Sequence, residues 1–142
     1  MGELHQEERH PRNLVLILAR EFALKLATPM LIVDADGRLV FFNEPAEQVL
    51  GRAYSDAGEV AMDDWPELFH VEDAHGNPLS LADMPAGVAF RERRSVHGAV
   101  MITGLDGRMR ELAVTAFPLF AHEEDFVGVV AVFWEQVLPA TS

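Results

Sequence analysis

Cysteine is absent from this chain of 142 residues, which excludes a disulfide framework, a thiolate nucleophile and any zinc site built on sulfur. Basic residues are scarce: 11 Lys and Arg stand against 23 Asp and Glu, for a formal net charge of −12. A chain of that sign repels the phosphates of nucleic acid and the headgroups of an anionic membrane, so neither is expected as a partner. Long apolar runs are missing too. Leu14–Leu18 is too short to cross a bilayer, and Arg20, Glu21 and Lys25 interrupt its continuation. The preceding MGELHQEERHPRN carries both signs of charge and lacks the apolar centre of a secretion signal, so the expected location is cytoplasmic. There is no glycine-rich phosphate loop, internal repeat or low-complexity segment.

What is present suffices for one folded domain. A hydrophobic share of 49% over this length supports a single buried core. Residues up to about 12 read as a mobile tail. Asn13–Ala27 then reads as a helix with apolar residues on more than one side, so that residues 13–28 form an N-terminal capping or dimerisation segment. Leu14, Ile17, Leu18 and Leu24 share one face with Glu21 and Lys25, while Val15, Leu18, Phe22 and Leu26 share another. Such a helix either packs as a cap on its own sheet, or covers the sheet with one side and meets a second subunit with the other.

The stretch Leu31–Gly51, LIVDADGRLVFFNEPAEQVLG, has the most local information. Two apolar runs flank Asp36-Gly37, where glycine takes the positive φ of a hairpin turn without a Cβ clash. Asn43 stands where its side-chain oxygen can cap a helix, Pro45 loses no bond in the first turn, and Gly51 ends the helix. Beyond it, Asp56, Glu59, Asp63 and Asp64 lead to the anchors Trp65 and Phe69 through irregular chain. Ser80 is positioned to cap a helix running to about Arg93, with Pro85 in its first turns. Val96–Thr103, Met109–Leu119 and Phe126–Glu135 read as strands, the first two joined through Asp106-Gly107. The order gives an α+β fold, a five-stranded antiparallel sheet with short helices on one face.

The sequence of strand, Asp-x-Asp-Gly, strand, Asn43-Glu44-Pro45-Ala46 and Leu50-Gly51 resembles the opening of a PAS domain, in which Asn-x-x-Ala-x-x-x-x-Gly begins the first helix. The likeness continues through Asp106-Gly107, Phe117-Pro118-Leu119 and Gly128-Val129-Val130 to about Gln136. It implies a PAS domain over residues 29–137, followed by a tail at 138–142, in a stand-alone, single-domain protein of bacterial type. The N-terminal helix would pack on the other face of the sheet or on a partner.

Strand alternation and this resemblance together select two groups of residues. Val100, Ile102, Val114, Ala116, Ala131 and Phe133 would point from the sheet toward the helices, with Met84, Val88 and Phe69 closing the space. They form either a solid core or an apolar pocket for a small ligand, as small Ala116 and Ala131 leave room and methionine adapts to its contents. The second group, Leu14, Ile17, Leu18, Phe22, Val130, Val132 and Trp134, is the expected homodimer interface, because both faces of the last strand are apolar and its outer face needs a cover.

No cofactor is required by this reading. Heme-binding members of the oxygen-sensing type carry a histidine on the long helix, and Ser80–Arg94 has none; His97, His70 and His75 flank it. The flavin–cysteine photochemistry of light-oxygen-voltage members is excluded by the lack of cysteine, and an interface explains Trp134 better than a stacked flavin. His70, Glu72, Asp73 and His75 read as a solvated acidic loop and not a metal site, and nothing positions His97 as half of an acid–base pair.

The expected function is therefore a non-enzymatic sensory or regulatory domain in signal transduction. It would act by small-ligand binding, protein association or both, as a homodimer with a downstream signalling partner. The end of the chain, Trp134-Glu135-Gln136-Val137 and Leu138-Pro139, lacks the Asp-x-Thr that joins many PAS domains to an effector, and no effector domain is expected in the chain. The alternatives are a purely structural dimerisation or adaptor domain with a filled core, and a small isomerase-like enzyme on a similar α+β cone.

Overall fold

The computed structural model describes residues 2–50, 60–68, 70–103 and 107–136. Helix α1 (Gly2–Lys25) leads into the hairpin β1 (Met30–Asp34) and β2 (Arg38–Phe42), and α2 (Glu44–Leu50) follows. A two-residue strand β3 (Val60–Ala61) and a 3-10 turn precede the short α3 (Trp65–Leu68). Another 3-10 turn, Leu81–Asp83, leads to α4 (Pro85–Glu92). Three long strands complete the fold: β4 (Val96–Thr103), β5 (Met109–Phe120) and β6 (Phe126–Glu135).

The sheet runs β3-β2-β1-β6-β5-β4, antiparallel throughout. It is the expected five-stranded sheet with β3 added at one edge. Two hairpins are built by the same local device, Asp-Ala-x-Gly. Asp34 Oδ1 accepts the N–H groups of Asp36 (2.9 Å) and Arg38 (3.0 Å), and the N–H of Gly37 returns to the Asp34 carbonyl with φ of 80°. Asp73 Oδ1 accepts those of His75 (2.8 Å) and Asn77 (3.0 Å), with Gly76 at φ 82°. A carboxylate two residues ahead of the bend mimics a backbone acceptor, and glycine alone enters the left-handed region without strain.

Alternation gives the sheet two apolar faces, and each has its own core. On one face Val33, Leu39, Phe42, Leu112, Val114, Ala116, Val129, Ala131 and Phe133 pack with α2, α3 and α4. On the other, Met30, Ile32, Phe41 and Val130 meet Leu16, Ala19 and Ala23 of α1 and Leu26 just past its end. The Arg20 guanidinium also lies 5.0 Å from the centre of the Phe41 ring. The helix, and not a partner, is the cover of this part of the outer face.

Asn43 joins these layers. It is buried (1% exposed), and its Oδ1 accepts N–H groups from Met30 at 3.0 Å and Ala46 at 3.1 Å. Its Nδ2 donates to the carbonyls of Ala23 at 3.0 Å and Thr28 at 2.9 Å. The expected cap of α2 is present, and the same amide ties the end of α1 to the start of β1.

Two expectations change. The backbone is helical from Gly2, not from Asn13, because Glu, Gln and Arg sustain a helix without an apolar face. Ser80 does not cap α4: its hydroxyl donates to Asp83 Oδ2 at 3.1 Å, and α4 begins at Pro85. Proline drives the residue before it out of the helical region, and Met84 has φ −77° and ψ 144°. Gly51, Asp56, Glu59, Phe69, Asp106 and residues 137–142 lie outside the described residues.

Candidate functional site

Between the inner sheet face and the helices lies an apolar pocket of about 60 Å³. Leu31 of β1, Val100 and Ile102 of β4, Leu112 and Val114 of β5, and Ala131 and Phe133 of β6 form its floor. Leu50 of α2, Trp65 of α3, Val71, and the Met84-Pro85-Ala86 entry to α4 form its roof. Of the residues selected from sequence, Met84, Val100, Ile102, Val114, Ala131 and Phe133 come together in this wall. Ala116 is buried in the same core but outside the wall, and Val88 is half-buried farther along α4.

Leu112 shares the inward parity of Val114 and Ala116, so alternation could have found it, whereas Leu31 lies on β1, from which no residue was selected. Leu50, Val71, Pro85 and Ala86 carry no such signal, since turns and helix ends bring them in. Trp65, read from sequence as an anchor, is 3% exposed, and its Nε1 is buried without a hydrogen-bond partner among the described residues. An unpaired buried donor costs about 1–3 kcal/mol.

The second candidate surface is the outward side of α1. Leu14 (47% exposed), Ile17 (56%), Leu18 (58%), Phe22 (60%) and Leu24 (57%) turn away from the sheet. Val130, grouped with them in the sequence reading, lies beneath α1, and Val132 is half-buried against the same core. Trp134 is 42% exposed at the end of β6, its ring 6.2 Å from that of His97. His97 Nδ1 lies 2.8 Å from Thr115 Oγ1.

Asp73 spends its carboxylate on the backbone N–H groups of Asn77 and His75, which hold its pKa below the ordinary aspartate value. Among the described residues no group of three His, Asp or Glu side chains is arranged to hold a metal ion. No helix among them is long and apolar enough to cross a membrane.

A family model described as "PAS domain" matches residues 27–135. Among solved structures, the chain is similar to a PAS domain of a protein from Colwellia psychrerythraea, with TM-score 0.62 and 12% identity over 86% of this chain and 97% of that one. It is also similar to the PAS domain of nitrogen regulation protein NR(II) from Vibrio parahaemolyticus, with TM-score 0.59 and 18% identity over 84% and 98%. A LOV protein from Rhodobacter sphaeroides gives TM-score 0.66 and 11% identity over 85% and 67%. At these identities the likeness is one of fold. No curated protein matches the sequence.

Proposed function

The chain belongs to the PAS domain family, and on that footing we propose that it is a sensory or regulatory signalling domain whose output is association through the outward face of α1, with a second copy of itself as the first partner. The observation that carries this is the division of α1 into two apolar faces. Leu16, Ala19 and Ala23, continued by Leu26 just past the helix, are spent on the sheet, while five large side chains are left about half exposed. Full burial of such a side chain is worth about 1.5–3 kcal/mol, so the exposed half of each holds about 1 kcal/mol and each stripe about 5 kcal/mol. Two stripes are comparable with the roughly 4–15 kcal/mol that association costs, which fits a reversible contact. Exposed Glu21 and Lys25 lie within the stripe, and in an antiparallel pair each faces the opposite charge of the other copy. That is why the partner is taken to be a second copy; a downstream signalling protein would compete for or extend the same surface.

Input is assigned to the pocket. Leu31 and Leu50 in its wall belong to β1 and α2, the two elements that Asn43 bonds to the end of α1. A molecule that favours one setting of these elements shifts the population of α1 arrangements. The small volume favours a second reading, an adaptor with a filled core that dimerises without a ligand. No catalytic role is proposed, since His97 is engaged by Thr115 and Trp134.

The test is the mass in solution by light scattering. Wild-type protein should show a concentration-dependent dimer, and the double substitution Leu18→Glu, Phe22→Glu should be monomeric while keeping the melting temperature that the wild type has when diluted to monomer, because neither residue touches the sheet-side core. A dimer that survives the pair removes α1 as the interface.

A further inference from the structure

We propose that the open edge of β4 receives an extended segment of a partner protein, paired antiparallel, with a large apolar side chain opposite Ala99 and acidic residues toward its carboxyl end. β4 is the last strand of the sheet, so one of its edges has no neighbouring strand. The chain itself shows which backbone groups that edge offers. Met101 exchanges both of its hydrogen bonds with Glu72, each at 2.8 Å. Its N–H and carbonyl therefore point away from β5, and in an antiparallel ladder those of His97 and Ala99 point the same way. Both residues are exposed, and neither has a backbone partner on that side among the described residues. An edge left open in this way is a template for another strand, and Glu72 already uses part of it.

Side chains and charge define the kind of strand. Ala99 pairs with Ala113, and Ala113 with Trp134, so only small side chains separate the edge from the indole on the outer face of the sheet. Trp134 is 42% exposed, with its ring 6.2 Å from that of His97. A large apolar side chain opposite Ala99 lies across that methyl group and covers the indole, while the main chain supplies the hydrogen bonds. The two ends of the open edge differ in charge. Glu72 and Asp73 stand at one end. At the other, Arg91, Arg93 and Arg94 surround Glu92, three cations to one carboxylate in a chain whose net charge is −12. The side chains of Arg91 and Arg94 are more than half exposed and share that carboxylate, at 3.2 and 2.7 Å. An antiparallel strand has its carboxyl end on the arginine side, so its acidic residues belong there. A second copy of β4 fits less well. Its own Glu72 takes the place opposite Met101, and its chain leaves the strand direction at Arg93, which has φ of 58°.

The probe is the peptide acetyl-Thr-Phe-Thr-Val-Thr-Glu-Glu-amide, whose Phe is set opposite Ala99, titrated into ¹⁵N-labelled full-length protein. The amide protons of His97 and Ala99 should move downfield, while those of Gly98 and Val100, which face β5, should stay. With Lys-Lys in place of Glu-Glu the peptide should bind about tenfold more weakly at low salt, and the gap should close as salt is added. Net charge alone favours the lysine peptide, so a preference for the acidic one reports the arginine end of the edge. Replacing the peptide's Phe by Ser should cost about three- to tenfold in wild-type protein and far less in Trp134→Ala. The perturbations lie in the peptide and at one exposed side chain, which keeps the folded protein intact. Unmoved amides at His97 and Ala99, shifts that do not alternate along β4, or equal binding of the lysine peptide would each overturn the proposal. Protection of those two amides in concentrated protein without peptide would assign the edge to a second copy and overturn it as well. None of these outcomes bears on association through α1 or on the pocket.

Discussion

Replacing Asn43 by alanine should cost more stability than any other single truncation of a polar side chain described here. The amide fills all four of its hydrogen-bonding positions from a site that is 1% exposed. Its loss leaves the buried N–H groups of Met30 and Ala46, and the part-buried carbonyl of Thr28, without these partners. The Ala23 carbonyl still receives the N–H of Leu26 at 3.2 Å. Two orphaned donors at about 1–3 kcal/mol each, with local relaxation recovering part, give an expected loss of about 3–5 kcal/mol. That is a large share of the roughly 5–15 kcal/mol that holds a domain folded. Equilibrium unfolding in urea measures the loss, and hydrogen exchange localises it, since the amides of Met30 and Ala46 should lose protection first. Asn43→Asp separates the two halves of the node. It keeps both accepted bonds but turns a carboxylate oxygen toward the carbonyls of Ala23 and Thr28, so protection at Met30 and Ala46 should persist while the end of α1 loosens. A cost below about 1 kcal/mol for Asn43→Ala, or unchanged exchange at Met30 and Ala46, would refute the argument that this amide couples α1 to the sheet.

Two further outcomes follow from local geometry. In Gly128→Ala the new Cβ would stand 2.0 Å from the Val33 carbonyl oxygen and 3.1 Å from Asp34 Cα, both backbone atoms of the paired strand β1. The strands must separate, and a loss of about 2–3 kcal/mol is expected in urea unfolding; a wild-type midpoint would show that β1 and β6 part there at no cost. The carboxyl of Asp73 should titrate below the ordinary aspartate value in an NMR pH series, because Asn77 and His75 donate to its ionised form. As its folded pKa is depressed, it contributes to stability above the unfolded value and loses that contribution as pH falls through the folded one. An ordinary titration midpoint would mean that the Asp73 loop is not closed in solution.

How much of this was legible in sequence depended on the range of the forces involved. The β1–β2 hairpin was readable because Asp34, Asp36 and Gly37 make their decisive bonds within four residues of one another. The cap by Asn43 was readable for the same reason, as Ala46 lies three residues on. Two-residue alternation, a property of the extended chain, put Val100 with Ile102 and Ala131 with Phe133 on common faces, and the family resemblance marked those faces and that of Val114 as inward. The roof of the pocket was not readable in this way. Leu50 ends a helix, Val71 lies in irregular chain, and Pro85 and Ala86 sit where a proline sets the start of α4, so no period links them. The start of α4 was misjudged because Ser80 has the right residue type, while the constraint that Pro85 places on Met84 overrides it.

On α1 the sequence by itself determined that two sides were apolar and that one helix could not satisfy both within its own length. It also determined the α+β class and the three long strands, while the resemblance carried by Asp34–Gly37 and Asn43–Gly51 selected the fold within that class. The tertiary structure alone decided which side meets the sheet. Packing chose the small residues Ala19 and Ala23 with Leu16 and Leu26, which let the helix approach Met30, Ile32, Phe41 and Val130, and left the bulkier Ile17, Leu18 and Phe22 outward. The tertiary structure alone also joined Asn43 to Ala23 and Thr28 across twenty and fifteen residues of chain and set Trp65 in an apolar wall without a partner. Hydrogen bonds between neighbours in sequence are encoded locally. Contacts between layers exist only once the sheet has brought those layers together.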